Sequence, residues 1–173
     1  SKLASDDESV GRNFSAADKL NRASLYYQTA ERMQAHGYEP RTAAFRKGQD
    51  AFRRALKLGQ QKIERVEIHY KQGVIPGLLV QPEWGPQPAP VMIFVNGHDS
   101  TKEMLYWTGV AQELAKRGIG TLHIDQPGSG EALRVHGLTA EVECERWAAP
   151  VIDYLQTRWE FEPRRIGMMG LSL

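Results

Sequence analysis

The chain has 173 residues, with 22 Lys+Arg against 21 Asp+Glu, a formal net charge of +1, an apolar fraction of 41% and a charged fraction of 25%. That is the composition of an ordinary folded protein, which excludes a collagen-like chain, a disulfide scaffold and a strongly disordered segment, and it lacks the basic surplus of a dedicated nucleic-acid binder. No apolar run approaches the roughly 18 residues that span a bilayer, so no membrane partner is expected.

The polar, acidic residues 1–12 do not read as a signal peptide. Cys144, the single cysteine, has no intrachain partner for a disulfide. A reducing, cytoplasmic setting is therefore expected.

Two regimes follow along the chain. Residues 1–60 read as a helical region and residues 61–173 as an α/β region. In the first, Ser15 with Asp18 three positions on predicts an N-cap for a helix entered at Ala16. Leu20, Leu25, Ala30 and Met33 give it a rough apolar stripe. Gly37 is the expected stop after His36, and Pro40 prevents continuation. A second helix is expected from Thr42, with Phe45, Phe52, Ala55 and Leu56 on one face. Arg46, Lys47, Arg53, Arg54 and Lys57 lie elsewhere and read as a solvated basic surface.

After Gln60 the period changes. Ile63, Val66, Ile68 and Tyr70 alternate like a half-buried strand, and residues 74–80 form a second apolar run beyond Lys71-Gln72-Gly73. Together they predict a hairpin. Pro76 predicts that the second strand is an edge or bulged one. Pro82, Pro86, Pro88 and Pro90 mark a loop. Val91-Met92-Ile93-Phe94-Val95 is continuously apolar, as in a strand covered on both faces of a parallel sheet.

Ser100-Thr101-Lys102-Glu103 has capping-box spacing. A helix should follow with Met104, Trp107, Ala111 and Leu114 inward and Gly118 as its stop. Residues 121–124 predict a strand. A helix is expected over 139–158, with Pro150 kinking it or marking its true start, and residues 165–169 predict a last strand. Hairpin followed by β-α-β-α-β implies a mostly parallel α/β sheet.

In such sheets function collects at the carboxyl ends of the strands. The last strand runs into Gly170-Leu171-Ser172, the first part of G-x-S-x-G in the strand-to-turn setting that motif requires. A serine in that tight turn has its hydroxyl lifted clear of the sheet. The following amide, on Leu173, then points at a developing oxyanion. The competing reading is an ordinary turn serine. Val95 leads into Asn96-Gly97-His98-Asp99. Gly97 lets the loop approach a substrate closely, Asp99 stands beside it as a second candidate substrate contact, and the His98 amide is the natural second oxyanion donor. The His98 side chain is a weaker candidate, as a general base.

The remaining strand end, Asp125-Gln126-Pro127-Gly128-Ser129-Gly130-Glu131, reads as a rigid rim. Leu133 stands where a dinucleotide fingerprint would need its third glycine. His123 and Asp125 make a His-x-Asp pair without a clear third ligand, so His123 reads as a core histidine rather than a metal ligand. Ser129 is disfavoured as a nucleophile because no helix clearly begins behind it. Cys144 reads as a small packed residue within a helix.

These three blocks together resemble the α/β-hydrolase superfamily. The likeness is to its esterase-like subgroup with an N-terminal helical region: fermentation–respiration-switch-type esterases, dihydroxypseudooxynicotine hydrolases and fungal polyketide-shortening hydrolases. The resemblance covers residues 63–173 well and the helical region loosely. It implies Ser172 as nucleophile, the amides of Leu173 and His98 as oxyanion hole, an acyl-enzyme on a small or medium organic ester, and no cofactor or metal. Some members of the family cleave carbon–carbon bonds beside a ketone, and a non-catalytic binder is the third reading. The helical region is expected to help cover the site. Asn96 departs from the histidine common before the oxyanion-loop glycine.

The family's order of Ser, then Asp or Glu, then His places both partners of Ser172 after it. The chain is therefore expected to be the N-terminal half of a hydrolase core, completed by a C-terminal remainder in the same or a separate chain. A small-molecule substrate is the expected partner, and a homodimer is left open.

Overall fold

The computed structural model describes residues 1–35 and 37–172, so His36 and Leu173 lie outside the described residues. The chain forms two compact units, Ser1–Lys62 and Ile63–Leu173.

The first unit holds three helices, α1 (Lys2–Ser9), α2 (Asn13–Arg32) and α3 (Glu39–Leu58). Small residues let these helices meet closely: Ala4, Leu20, Ala51 and Ala55 form their buried cluster, with Ala23 and Leu58 packed against it. The buried Ser24 hydroxyl donates to the Gly48 carbonyl at 2.8 Å, tying α2 to α3. Arg46, Lys47, Arg53, Arg54 and Lys57 of α3 are exposed, as expected of a solvated face.

Three expectations fail here, each for a local reason. Helix α2 begins at Asn13, and Ser15 does not cap it. The Ser15 hydroxyl instead donates to the buried Asp7 carboxylate at 2.5 Å, where Lys19 also bonds. Helix α3 begins at Glu39, with Pro40 in its first turn. A proline there has no amide hydrogen to waste and carries a helical φ, so it opens this helix. Leu25 and Met33 are exposed, so the apolar stripe of α2 is buried only around Leu20.

The second unit contains β1 (Glu64–Tyr70), β2 (Gly73–Val80), β3 (Ala89–Val95), α4 (Lys102–Trp107), α5 (Val110–Ala115), β4 (Gly120–Ile124), α6 (Gly130–Arg134), α7 (Glu145–Gln156) and β5 (Phe161–Gly170). The sheet order is β1-β2-β4-β3-β5. The β1–β2 hairpin is antiparallel, β2 runs antiparallel to β4, and β3 is parallel to both β4 and β5. One sheet face buries Ile75, Val91, Ile93, Leu122 and Ile124 against Trp147, Val151 and Leu155 of α7. Residues of the alternate register, among them Phe94 and His123, lie on the opposite face, where His123 meets Tyr106 of α4 edge-on.

Strand β2 is internal, contrary to the edge expected from Pro76. The Pro76 carbonyl accepts the Asp125 amide at 3.0 Å. In extended backbone a residue's N and C=O point to the same side, so the proline nitrogen faces the place where β4 has already ended at Ile124. No ladder bond to β1 is lost.

The helix expected through 118 is two short ones. Thr101, not Ser100, caps α4 by accepting the Met104 amide at 3.3 Å, and Gly109 at φ +82° separates α4 from α5. This break turns Leu105, Tyr106, Ala111 and Ala115 inward and leaves Met104, Trp107 and Leu114 half-buried. Helix α7 starts at Glu145 and carries Pro150 inside it, while residues 139–144 are not α-helical. Helix α6 was not legible at all.

Candidate functional site

The parallel register sets β3, β4 and β5 side by side so that they end together. Val95 is opposite Ile124 on one side and Gly170 on the other. The loops that leave these three strands border one cavity of about 470 Å³. Asn96 and His98 enter it from β3, Gln126 and Pro127 from β4, and Met168, Gly170 and Ser172 from β5. Residues 140–142, Cys144 and Trp147 close another side.

Ser172 is exposed and adopts φ +65°. A non-glycine residue in this left-handed region stores about 1–2 kcal/mol, so its neighbours must hold it there. The Leu171 amide donates to the Val95 carbonyl at 3.1 Å, carrying the β3–β5 pairing past Gly170 and fixing the base of the turn. The result is a serine on a strained bend, displayed to the cavity that His98 also lines. His98 is exposed, Gly97 is buried and Asp99 is exposed; neither Gly97 nor Asp99 is among the residues lining the cavity. The Leu173 amide, expected as an oxyanion donor, lies outside the described residues.

Behind the His98 loop lies a polar knot that sequence reasoning missed. Asp125, fully buried, accepts the main-chain amides of Lys102 at 2.7 Å and Glu131 at 2.8 Å, and the Asn96 side-chain amide at 2.8 Å. The Lys102 ammonium, 1% exposed, sits 2.9 Å from Asp125 Oδ2, 2.7 Å from Glu131 Oε2 and 2.8 Å from Glu103 Oε1. Its three donors thus meet three acceptors. Burial alone would push its pKa down, but the Asp125, Glu103 and Glu131 carboxylates outweigh burial and hold it above the ordinary lysine value. Burial raises the Glu131 carboxyl, and Lys102 with Arg65, 2.6 Å away, reverses this to a net lowering.

Gly130 makes the knot possible. It has φ +45°, and a Cβ there would lie 2.1 Å from Asp125 Cγ. Here was the readable signal: the last glycine of Pro127-Gly128-Ser129-Gly130 serves a carboxylate's approach, not a phosphate's.

The other candidates resolve plainly. Helix α6 does begin behind Ser129, contrary to expectation. Yet Ser129 is fully buried, with its hydroxyl 2.7 Å from Asn96 Oδ1, so it presents nothing to a substrate. His123 is a core ring, stacked on Phe94 at 4.9 Å between centroids. Cys144 precedes α7, is exposed and faces the cavity, which corrects the packed mid-helix expectation. Glu141, also at the cavity, is bonded to Lys71 at 2.8 Å and Tyr70 at 3.0 Å. The Lys71 bond holds its carboxyl below the usual range.

An antiparallel hairpin leading into parallel strands, with a serine on a left-handed bend at the end of the last, is the architecture of the α/β hydrolases. The family model described as FrsA-like esterase matches residues 4–171, and the chain belongs to that family. It is 32% identical over 187 residues to the hydrolase pyiE of Pyricularia grisea, covering 97% of this chain and 40% of that protein. It is 27% identical over 164 residues to the 2,6-dihydropseudooxynicotine hydrolase of Paenarthrobacter nicotinovorans, covering 95% of this chain and 43% of that one. The crystal structure of a 2,6-dihydroxy-pseudo-oxynicotine hydrolase superposes with a TM-score of 0.79 at 26% identity, over 98% of this chain and 46% of the other. The chain therefore spans less than half the length of these relatives.

Proposed function

We propose that the whole protein is a serine hydrolase cleaving carboxylic esters of small or medium organic molecules through an acyl-enzyme on Ser172. The observation that carries this reading is the exposed Ser172 at φ +65°, on the same cavity as the His98 loop.

In the proposed reaction Ser172 Oγ attacks the ester carbonyl and its proton passes to a general base, for which the family order places a histidine after the serine. Charge builds on the carbonyl oxygen, where the amides of His98 and Leu173 donate to it. The carbonyl reforms as the alcohol leaves with that proton. Water then releases the acid by the same route. Trp147 and Met168 give this side of the cavity apolar walls, which suit the organic part of an ester. Among the described residues no helix is long and apolar enough to cross a membrane. A reducing compartment such as the cytoplasm is proposed on the single cysteine.

Ser172→Ala in the whole protein tests the reading. Ester turnover should vanish while the unfolding midpoint stays within error. Retained turnover would remove Ser172 from the chemistry. Product analysis on an ester and on a 1,3-diketone separates ester cleavage from carbon–carbon cleavage, and turnover of the diketone alone would overturn the ester assignment.

A further inference from the structure

The knot behind the His98 loop has a geometry that packing alone does not require. Asn96 and Lys102 stand at the two ends of the segment that carries His98. Both donate to the same oxygen, Asp125 Oδ1: Asn96 through its side-chain amide at 2.8 Å, Lys102 through its main-chain amide at 2.7 Å. Asn96, 1% exposed, spends its remaining capacity on the same loops. It donates to the Ser100 carbonyl at 3.1 Å and accepts from the Ser129 hydroxyl at 2.7 Å and the Gln126 amide at 3.3 Å. Between the ends, the Ser100 amide donates to the Gly97 carbonyl at 3.1 Å and closes the turn.

We infer that Asp125 is a positioning residue for the hydrolytic reaction: by gripping both ends of the 96–102 segment with one oxygen, it fixes where the His98 amide points. The inference rests on the reading of Ser172 and His98 given above. Asp125 is fully buried, is not among the residues lining the cavity, and acts only through the loop. Lys102 also holds the other oxygen of that carboxylate, its ammonium lying 2.9 Å from Asp125 Oδ2.

The consequence is kinetic. An oxyanion donor works only at hydrogen-bond distance from where the oxygen will be in the transition state, and a shift of about 1 Å costs on the order of 100-fold. A donor acting mainly in the transition state affects kcat and leaves KM nearly still.

The test compares four variants of the whole protein. Asp125→Asn places an amide NH₂ against donors, or loses one end of the segment. Its kcat should fall by about 100-fold with KM changed by less than about threefold. Ser129→Ala removes one bond to Asn96 and should fold readily, with kcat down about threefold to tenfold and KM unmoved. Ile68→Ala, in the β1 side of the core, lowers the unfolding midpoint without moving kcat, and so shows what destabilisation alone does. Ser172→Ala separates the two layers of the argument. If it keeps turnover, the hydrolase reading falls and the inference with it. If it is inactive while a folded Asp125→Asn keeps kcat within about twofold of wild type, the inference alone is overturned. Should Asp125→Asn not fold, Ser129→Ala decides: an unchanged kcat, or kcat and KM moving together, overturns the positioning role.

Discussion

Lys102 grips one carboxylate from both sides: its ammonium lies 2.9 Å from Asp125 Oδ2, and its own main-chain amide donates to Oδ1 at 2.7 Å. The first turn of α4 is thereby locked to the end of β4, and the loop that carries His98 leads into that turn.

Removing the charge should be costly. Lys102→Met keeps much of the stem but removes the cation that Asp125, Glu103 and Glu131 share, leaving Arg65 on Glu131. Breaking one side of a buried ion pair costs about 3–5 kcal/mol, and urea denaturation should show a loss of that order. A loss below about 1 kcal/mol, the range of an exposed ion pair, would contradict a buried ion-pair knot.

Gly130→Ala should be nearly as damaging, for a steric reason. The new Cβ would fall 2.1 Å from Asp125 Cγ at a φ of +45°, so either the α6 turn or the carboxylate must move. A loss above about 2 kcal/mol is expected. Gly137→Ala is the control: it shares a positive φ, but its Cβ would meet nothing within 4 Å. Equal losses at the two positions would show that backbone strain, not the approach of Asp125, decides.

His123 should make the fold acid-sensitive. It is fully buried, among the described residues neither ring nitrogen has a hydrogen-bond partner, and burial pushes its pKa down to about 4 from 6.5. Folding therefore favours the neutral ring. The stability this contributes is complete above pH 6.5 and drains away as pH falls through about 4, by on the order of 3 kcal/mol. Glu131, held below its usual range, also loses stability in acid, so the useful quantity is a difference. His123→Phe keeps the stack on Phe94 and should gain on wild type as pH drops from 6.5 to 4, in denaturation midpoints taken at each pH. A constant difference across that range would contradict the burial account.

What could be read in advance follows the range of the forces involved. The hairpin, the continuous β3 run and the Gly170-x-Ser172 turn are local patterns, and each strand appears where its residues predict it. The knot is not local. Lys102 and Asp125 are 23 positions apart, and Lys102 looks like any solvated lysine in a first helical turn. Only the closing of β3 against β4 brings it to a buried carboxylate. Pro76 misled for the same reason, because what matters is where β4 ends, which β2 alone does not say. Helix α6 has five residues, too few to show a period. The cavity wall at Cys144 and Trp147 depends on α7 starting at Glu145, a boundary the Pro150 signal obscured.

The most direct measurement is covalent labelling of the whole protein with a fluorophosphonate, followed by peptide mass spectrometry. A serine that is activated as a nucleophile should carry the label at Ser172, stoichiometric with loss of esterase turnover, and Ser172→Ala should take up none. A protein that hydrolyses esters with Ser172 unlabelled, or that labels at another residue with the same loss of turnover, would contradict the assignment.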